Sequence, residues 1–181
     1  MSKNKSLPYL LPELCGLAAA AELLGDQWVL LILREAFYGV TRFETIRDHT
    51  KITRQTLANR LKKMTELGLL CKIPYQEEGA RERYEYVLTA KSRSLAPILF
   101  SLMEWGHKNI LHDAPHIALT DKESGEVVNS AYVTADGKYV DPKNVRLTFH
   151  DSHYLAAMPQ ASDHTDAMPL RKKMPMKIWS N

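Results

Sequence analysis

The chain has 181 residues, of which 45% are hydrophobic and 25% charged, and its formal net charge is +3. This composition is ordinary for a globular protein, and the length suits one domain with an appendage. Two cysteines, Cys15 and Cys71, are too few for a disulfide framework and form no metal-binding pair, so we expect a cytoplasmic protein. The longest strongly apolar run, residues 28–33, is too short to span a bilayer, which argues against a membrane location.

Residues 1–14 are polar and interrupted by prolines, and we predict that they form an N-terminal arm. The segment loosely resembles a signal peptide, but Glu13 and two prolines break its apolar part. The alanines that follow continue into an amphipathic helix, so we expect no signal peptide.

Two helices are predicted next. The first, CGLAAAAELL, begins at Cys15 and ends at Gly25. Asp26 can cap the second, DQWVLLILREAFYG, which stops at Gly39. Because this second helix is apolar almost all round, we expect it to lie at the centre of the core.

The third and fourth predicted helices are joined by a short TKI turn, as in a helix-turn-helix. Thr41 is expected to cap the third helix, with Phe43 and Ile46 facing inward. Thr53 is expected to cap the fourth helix, which should end at Gly68.

The fourth helix has one apolar stripe and a surface rich in long donors. Helical spacing predicts that its inward residues are Leu57, Leu61 and Met64. Gln55, Ala58, Asn59 and Lys62 then face outward. Amides such as Gln55 and Asn59 can pair with adenine through two hydrogen bonds in the major groove, and basic side chains on either side can bind phosphates.

After this helix the apolar period changes to two. Residues 69–75 and 83–88 are predicted to form a β-hairpin, joined by a charged loop with Gly79 in the turn. The hairpin would act as a wing, and Arg81 and Arg83 at its tip could reach a neighbouring groove. The complete set of candidate DNA-binding residues is Arg42, Lys51, Thr53, Arg54, Gln55, Thr56, Asn59, Arg60, Lys62, Lys63, Arg81 and Arg83.

A long helix, SRSLAPILFSLMEWGHKNIL, is predicted after the wing, with a kink at Pro97. Its apolar stripe is wider than one small domain needs to cover, so part of it, with the helix that begins at Cys15, should form a dimer interface. The interface residues on this helix are predicted to be Leu95, Ile98, Leu99, Leu102 and Trp105. Residues 15–112 would thus form one DNA-binding and dimerisation domain.

The remaining residues differ in character. Residues 113–150 are predicted to form a small β extension, a meander punctuated by Ser-Gly and Asp-Gly turns, and residues 151–181 an irregular basic tail. Charge follows the same division, since residues 41–65 carry a net +5 and residues 113–141 a net −4. The predicted fold class is mainly α with a β-hairpin wing, a winged helix-turn-helix, with a small C-terminal β extension.

Several runs together resemble the HxlR-type winged-helix transcriptional regulators: CGLAAAAELLGDQWVLLILREAFYG, RFETIR, TRQTLANRLKKMTELGLL, YEYVLTAK and EWG. The match extends from Cys15 to about Gly106, with matching spacing throughout. It implies a bacterial or archaeal cytoplasmic regulator that binds operator DNA as a homodimer. The terminal helices would make the contact between the two subunits. By position, the recognition helix is Thr53–Glu66 and the wing is residues 69–88.

The resemblance makes Cys15 a candidate sensor, because in some members an N-terminal cysteine senses oxidants or electrophiles. The alternative is a small buried hydrophobe, since reactivity needs exposure and a lowered pKa. Some members also have a Cys-x-x-Cys-Gly turn in a similar extension, but residues 133–137 here read VTADG. We therefore expect no metal or cofactor, although the pairs His112/His116 and His150/His153 leave a metal site as an alternative.

Three functional classes follow from these features. The first is a transcription factor, a repressor in our interpretation, that responds to a small organic effector or to thiol chemistry. The second is a protein-interaction module that has kept a winged helix without binding DNA. The third is an enzyme. The sequence has no nucleophile–base set, phosphate loop or paired carboxylates, so we expect no enzymatic activity. An effector would bind near the dimer seam, between the first, second and last long helices.

Overall fold

The structure is a computed structural model that describes residues 9–10, 15–146 and 155–156. Its helices are α1 (Gly16–Leu24), α2 (Gln27–Phe37), α3 (Phe43–Thr50), α4 (Arg54–Glu66), α5 (Ala90–Arg93) and α6 (Ala96–Gly106). Its strands are β1 (Tyr9–Leu10), β2 (Leu70–Tyr75), β3 (Arg83–Leu88), β4 (Leu119–Thr120), β5 (Val127–Val128), β6 (Tyr132–Val133), β7 (Tyr139–Val140) and β8 (Leu155–Ala156). The mainly helical architecture with a hairpin confirms the predicted fold class.

Contacts divide the chain into two compact units, one of residues 26–145 and one that combines residues 1–25 with residues 146–181. In the second unit, β1 pairs antiparallel with β8, so Tyr9 lies opposite Ala156 and Leu10 opposite Leu155. We did not predict this pairing between the N-terminal arm and the C-terminal tail. The rest of both segments lies outside the described residues, as do His150 and His153.

The core of the larger unit lies between α2, α3, α4 and the start of β2. Its fully buried side chains are Val29, Ile32, Leu33, Ile46, Leu57, Leu61, Met64, Leu69 and Leu70. The central position of α2 is as predicted, and Asp26 caps it by accepting hydrogen bonds from the backbone N–H groups of Trp28 and Val29. Among these apolar groups the Glu35 carboxylate is also buried, and it contacts Arg34 at 2.6 Å and His49 at 2.7 Å.

The prediction that Thr41 caps α3 is wrong. Arg42 occupies the cap position and its side chain makes no capping hydrogen bond. The backbone of Thr41 instead accepts a hydrogen bond from the N–H of Tyr86, and Arg42 forms an isolated β-bridge with Glu85. These contacts hold the chain before α3 against the wing, so Thr41 is not positioned to cap the helix.

The turn between α3 and α4 depends on an unusual backbone conformation. Lys51 has a φ of 58°, in the left-handed region, and Ile52 beside it is buried. This turn sets the direction in which α4 leaves α3, and Thr53 then caps α4 by accepting a hydrogen bond from the N–H of Thr56.

The wing forms where it was predicted. β2 and β3 pair antiparallel from Leu70 opposite Leu88 to Tyr75 opposite Arg83, with Gly79 in the connecting turn at a φ of 72°.

The predicted long helix after the wing is broken in two. Thr89 caps α5, and the buried Ser92 donates a hydrogen bond to the carbonyl of Leu69 at 2.6 Å, which holds this turn against the wing. A new helix, α6, begins at Ala96, with Pro97 in its first turn, where the missing N–H has no intrahelical partner to lose. The last turn, His107–Leu111, is π-helical.

The β extension consists of two separate hairpins, not one meander. β4 pairs with β5, and β6 pairs with β7. Their turns contain Gly125 and Gly137, both with positive φ, as the Ser-Gly and Asp-Gly patterns predicted. After β7, Pro142–Asn144 forms a 3₁₀ turn, and residues 147–150 of the predicted meander lie outside the described residues.

Candidate nucleic-acid interface

Helix α4 presents one buried and one exposed face. Leu57, Leu61 and Met64 are at most 1% exposed. On the opposite side Gln55, Ala58, Asn59 and Lys62 are exposed, which is the orientation that the sequence pattern predicts. The core contacts therefore fix the rotation of the helix about its axis, and the outward side chains are left available to a partner.

The two exposed amides are hydrogen-bonded to each other. Gln55 Nε2 donates to Asn59 Oδ1 at 3.0 Å. Residues four apart on a helix are neighbours on its surface, so this contact needs no distortion of the backbone. The two side chains are thereby oriented before any ligand arrives.

The first turn of α4 is held by polar contacts to itself and to α3. Thr53 Oγ1 donates to Thr56 Oγ1 at 2.8 Å. The Arg54 guanidinium pairs with Glu44 at 2.5 Å and lies 5.4 Å from the centroid of the Phe43 ring. All of these groups lie at the surface, and Arg54 stays largely accessible, with 65% of its side chain exposed.

Arg60 points to a different partner from the one the sequence suggests. Its guanidinium contacts the second carboxylate oxygen of Asp26 at 2.7 and 2.9 Å, and less than a third of either side chain is exposed. Asp26 thus both caps α2 and binds α4. Arg60, a predicted phosphate ligand, thus joins α4 to the start of α2.

The lysines of the helix-turn-helix are placed differently. Lys51 is exposed in the turn before α4. Lys62 is 77% exposed on its side chain and lies 4.0 Å from Glu66, whereas Lys63 is half-buried.

The wing carries its own basic residues and a link to α3. Arg42 contacts Glu77 at 2.8 Å and Glu85 at 3.1 Å, and its guanidinium lies 4.5 Å from the centroid of the Tyr75 ring. The hydrogen bond that Arg42 donates to Glu85, opposed in part by burial, raises the pKa of Arg42 above its ordinary value. Arg42 is therefore an electrostatic tie between α3 and the wing.

Arg81 and Arg83, the two basic residues at the wing tip, are exposed. An open cleft of about 770 Å³ lies between β3 and the start of α3. The residues that line it include Arg54, Arg83 and Tyr84. A hydrogen bond to Glu82 raises the pKa of the Tyr84 phenol, and burial raises that of Tyr86. Both phenols are therefore neutral donors at neutral pH.

Sequence reasoning missed two wing contacts. Lys72 lies 5.3 Å from the centroid of the Tyr84 ring and 5.9 Å from that of Tyr86. A strand register would have shown this, because Lys72 and Tyr86 are cross-strand partners. Lys72 adds a cation to the same hairpin as Arg81 and Arg83.

The predicted dimer residues separate into two groups on α6. Ile98, Leu102 and Trp105 are 57%, 50% and 56% exposed. Leu95, at the cap position of α6, and Leu99 are half-buried and face the fold. A cavity of about 220 Å³ lies between α2 and α6, with a lining that is almost entirely apolar and includes Phe37, Tyr38, Phe100 and Met103.

Cys15 immediately precedes α1 in an extended conformation. It is half-buried and forms no disulfide. Cys71 is exposed on β2. Within residues 9–10, 15–146 and 155–156, no group of three or more His, Cys, Asp or Glu side chains is placed to hold a metal ion. Over the same residues no single helix is long and apolar enough to cross a membrane; α1 and α2 reach that length and apolar content only when they are counted together across a sharp bend.

This geometry occurs in a chain that is similar to known proteins of one family. Residues 23–114 match the HxlR-like helix-turn-helix family. A transcriptional regulator of the helix-turn-helix type from Mycobacterium tuberculosis, itself uncharacterised, is 39% identical over 128 residues, which is 70% of this chain and 80% of the relative. A regulator of the same type from Methanothermobacter thermautotrophicus is 37% identical over 94 residues, 51% of this chain and 70% of that protein.

Two solved structures share the fold. PA1607, a candidate transcription factor, has a TM-score of 0.61 and 31% identity, with 74% of this chain and 94% of that chain covered. PA1374, a candidate transcription factor from Pseudomonas aeruginosa, has a TM-score of 0.51 and 30% identity, covering 82% and 96%. With the winged helix-turn-helix of the structure, these matches show that the chain belongs to the HxlR-like helix-turn-helix family of transcriptional regulators.

Proposed function

We propose that this protein is a cytoplasmic repressor that binds a palindromic operator as a homodimer and reads it with α4. The observation that carries the proposal is the exposed face of α4. Its amides Gln55 and Asn59 and the small side chain of Ala58 point away from a buried apolar stripe. Amides of this kind read base edges in the major groove, and a small neighbour allows the helix to approach closely.

Phosphate contacts would come from the basic residues that remain accessible around this face. These are Lys51, Arg54, Lys62, Arg81 and Arg83, with Lys63 at the edge of the helix. Thr53 and Thr56 can add neutral donors at the helix start. We assign Arg60 and Arg42 to positioning α4 and the wing, because each makes two contacts to carboxylates of the fold.

The test is the salt dependence of binding to duplex DNA by the full chain. Each phosphate contact releases counterions, so affinity should fall steeply between about 50 and 200 mM salt. Lys62→Ala should weaken binding to all sequences alike and reduce the slope of log affinity against log salt by about one.

An affinity that barely changes with salt would remove the DNA-binding proposal. It would favour the alternative of a protein-interaction module, which has the same fold but no need for accessible cations around α4. In vitro transcription from a promoter that carries the selected operator then separates repression from activation.

A dimer is proposed because one recognition helix and one wing read only a few base pairs. The exposed side chains Ile98, Leu102 and Trp105 follow helical spacing on α6, so they form one continuous apolar strip that a second copy could cover. A two-fold dimer would place its two α4 helices in major grooves about 10 base pairs apart, or a multiple of that distance.

The signal is proposed to enter between α2 and α6. The apolar cavity there suits a small aromatic molecule, and it adjoins the α6 strip through Leu102, which lines the cavity and is half exposed. Chemistry at Cys15 is the competing input. Measuring DNA binding with neutral aromatic compounds, and separately with oxidant on the wild type and on Cys15→Ser, distinguishes the two inputs.

A further inference from the structure

The hydrogen bond between Gln55 and Asn59 makes the two amides unequal. A side-chain amide has one acceptor oxygen and two N–H donors. The bond engages the Asn59 oxygen and one N–H of Gln55. Asn59 therefore keeps both of its N–H donors while one of the two lone pairs of its oxygen is occupied, and Gln55 keeps its acceptor oxygen and one N–H donor.

These two patterns match different base edges. Adenine offers an N6–H donor beside the N7 acceptor, which fits the acceptor and donor of Gln55. Guanine offers two acceptors, N7 and O6, and thymine offers the acceptor O4, which fit the donors of Asn59. Cytosine offers a donor in the major groove and would oppose the N–H groups of Asn59.

We propose, building on the DNA-binding function above, that the hydrogen-bonded pair fixes the specificity of the half-site: Gln55 reads adenine and Asn59 reads guanine or thymine at a nearby position. This differs from the expectation, drawn from the residue types alone, that either amide pairs with adenine. Four residues advance about 6 Å along the helix axis and base pairs are spaced about 3.4 Å apart, so the two bases lie within about two steps of each other.

The hydrogen bond between the two amides has a consequence that would not arise if each side chain contacted its base independently. Gln55→Ala removes the donor that engages the Asn59 oxygen. The Asn59 oxygen then has both lone pairs available beside an N–H donor, and Asn59 can pair with adenine through two hydrogen bonds. One substitution should therefore change the base preference at two positions.

Asn59→Asp makes the complementary change. The carboxylate can still accept the hydrogen bond from Gln55 Nε2, so the position of Gln55 is retained. It has no outward donors and can accept from the N4–H group of cytosine. The preferred base under residue 59 should switch from guanine or thymine to cytosine.

The experiment is a random-pool selection on duplex DNA with sequencing, using the full chain as wild type, Gln55→Ala and Asn59→Asp. Asn129→Ala, which truncates an exposed amide in the β extension, serves as the matched control. Circular dichroism checks that each variant folds. We expect the wild type to prefer its bases at the two positions by roughly 5- to 150-fold over the mismatched bases.

Adenine accepted at the second position in Gln55→Ala, with cytosine preferred there in Asn59→Asp, supports the proposal. If the wild type enriches a motif but Gln55→Ala alters a single position, the amides read independently and the proposal is overturned while the DNA-binding function stands. If the wild type enriches no motif, sequence-specific binding itself fails, and this proposal fails with it.

Discussion

Asp26 shows how a single side chain can serve two elements. One carboxylate oxygen caps α2 and the other binds Arg60 on α4. The cap was predictable, because Asp before an apolar helix is a local signal. The second contact was not, since it joins residues 34 positions apart, and an arginine on a helix full of donors looks the same in sequence whether it binds phosphate or carboxylate.

Asp26→Ala should therefore lower the free energy of unfolding by about 2–3 kcal/mol, through the lost cap and the lost partly buried ion pair. Asp26→Ser keeps a capping oxygen but cannot reach Arg60 with a charge, so it should recover about 1 kcal/mol of the loss. Urea unfolding of the three proteins measures both values. Equal destabilisation by alanine and serine would mean that the cap contributes nothing.

At the level of elements, the helix-turn-helix and the wing agree with the sequence because both have strong local signals. The apolar stripe of α4 and the alternation in β2 and β3 each repeat with the period of their structure. The predicted long helix is interrupted between Arg93 and Ala96, because Pro97 has no N–H to donate to the carbonyl of Arg93. The two short hairpins of the extension did not merge into a meander, since β5 and β6 do not pair.

The turn before α4 gives a prediction at this scale. Lys51 is held in the left-handed region, which glycine enters without the steric cost that a β-carbon adds. Lys51→Gly should raise the free energy of unfolding by about 0.5 kcal/mol, after allowance for the greater freedom of glycine in the unfolded chain. Lys51→Val, with a branched β-carbon, should lower it.

The same glycine variant should bind DNA more weakly than wild type, because it loses a proposed phosphate contact. Stability from urea unfolding and affinity from a DNA titration would thus move in opposite directions. A glycine variant with both raised stability and unchanged affinity would exclude Lys51 from the interface.

At the level of the whole molecule, the exposed apolar strip on α6 is the feature that bears on dimerisation. Sequence periodicity marked α6 as unusually apolar, but only the structure separates Leu95 and Leu99, which face the fold, from the exposed strip of Ile98, Leu102 and Trp105. Leu102→Glu should yield monomers in light scattering, since a buried unpaired carboxylate at a dimer seam is costly.

A control is needed because Leu102 also lines the α2–α6 cavity. Ile98→Glu changes the same strip outside that cavity lining and should have the same effect on assembly. Two soluble, folded variants that remain fully dimeric would move the interface to another surface. Monomers that still bind nonspecific DNA but lose the palindromic operator would agree with the proposed mode of reading.

The division of labour within α4 bears on how such a regulator can change over time. Arg60 and the apolar stripe hold the helix in place, whereas the side chains that would face bases contact almost nothing else in the fold. Substitutions at exposed positions usually alter stability by no more than about 0.5 kcal/mol. New operator preferences can therefore evolve at positions 55, 58 and 59 with little effect on folding, and a library randomised at those three positions should consist mostly of folded proteins.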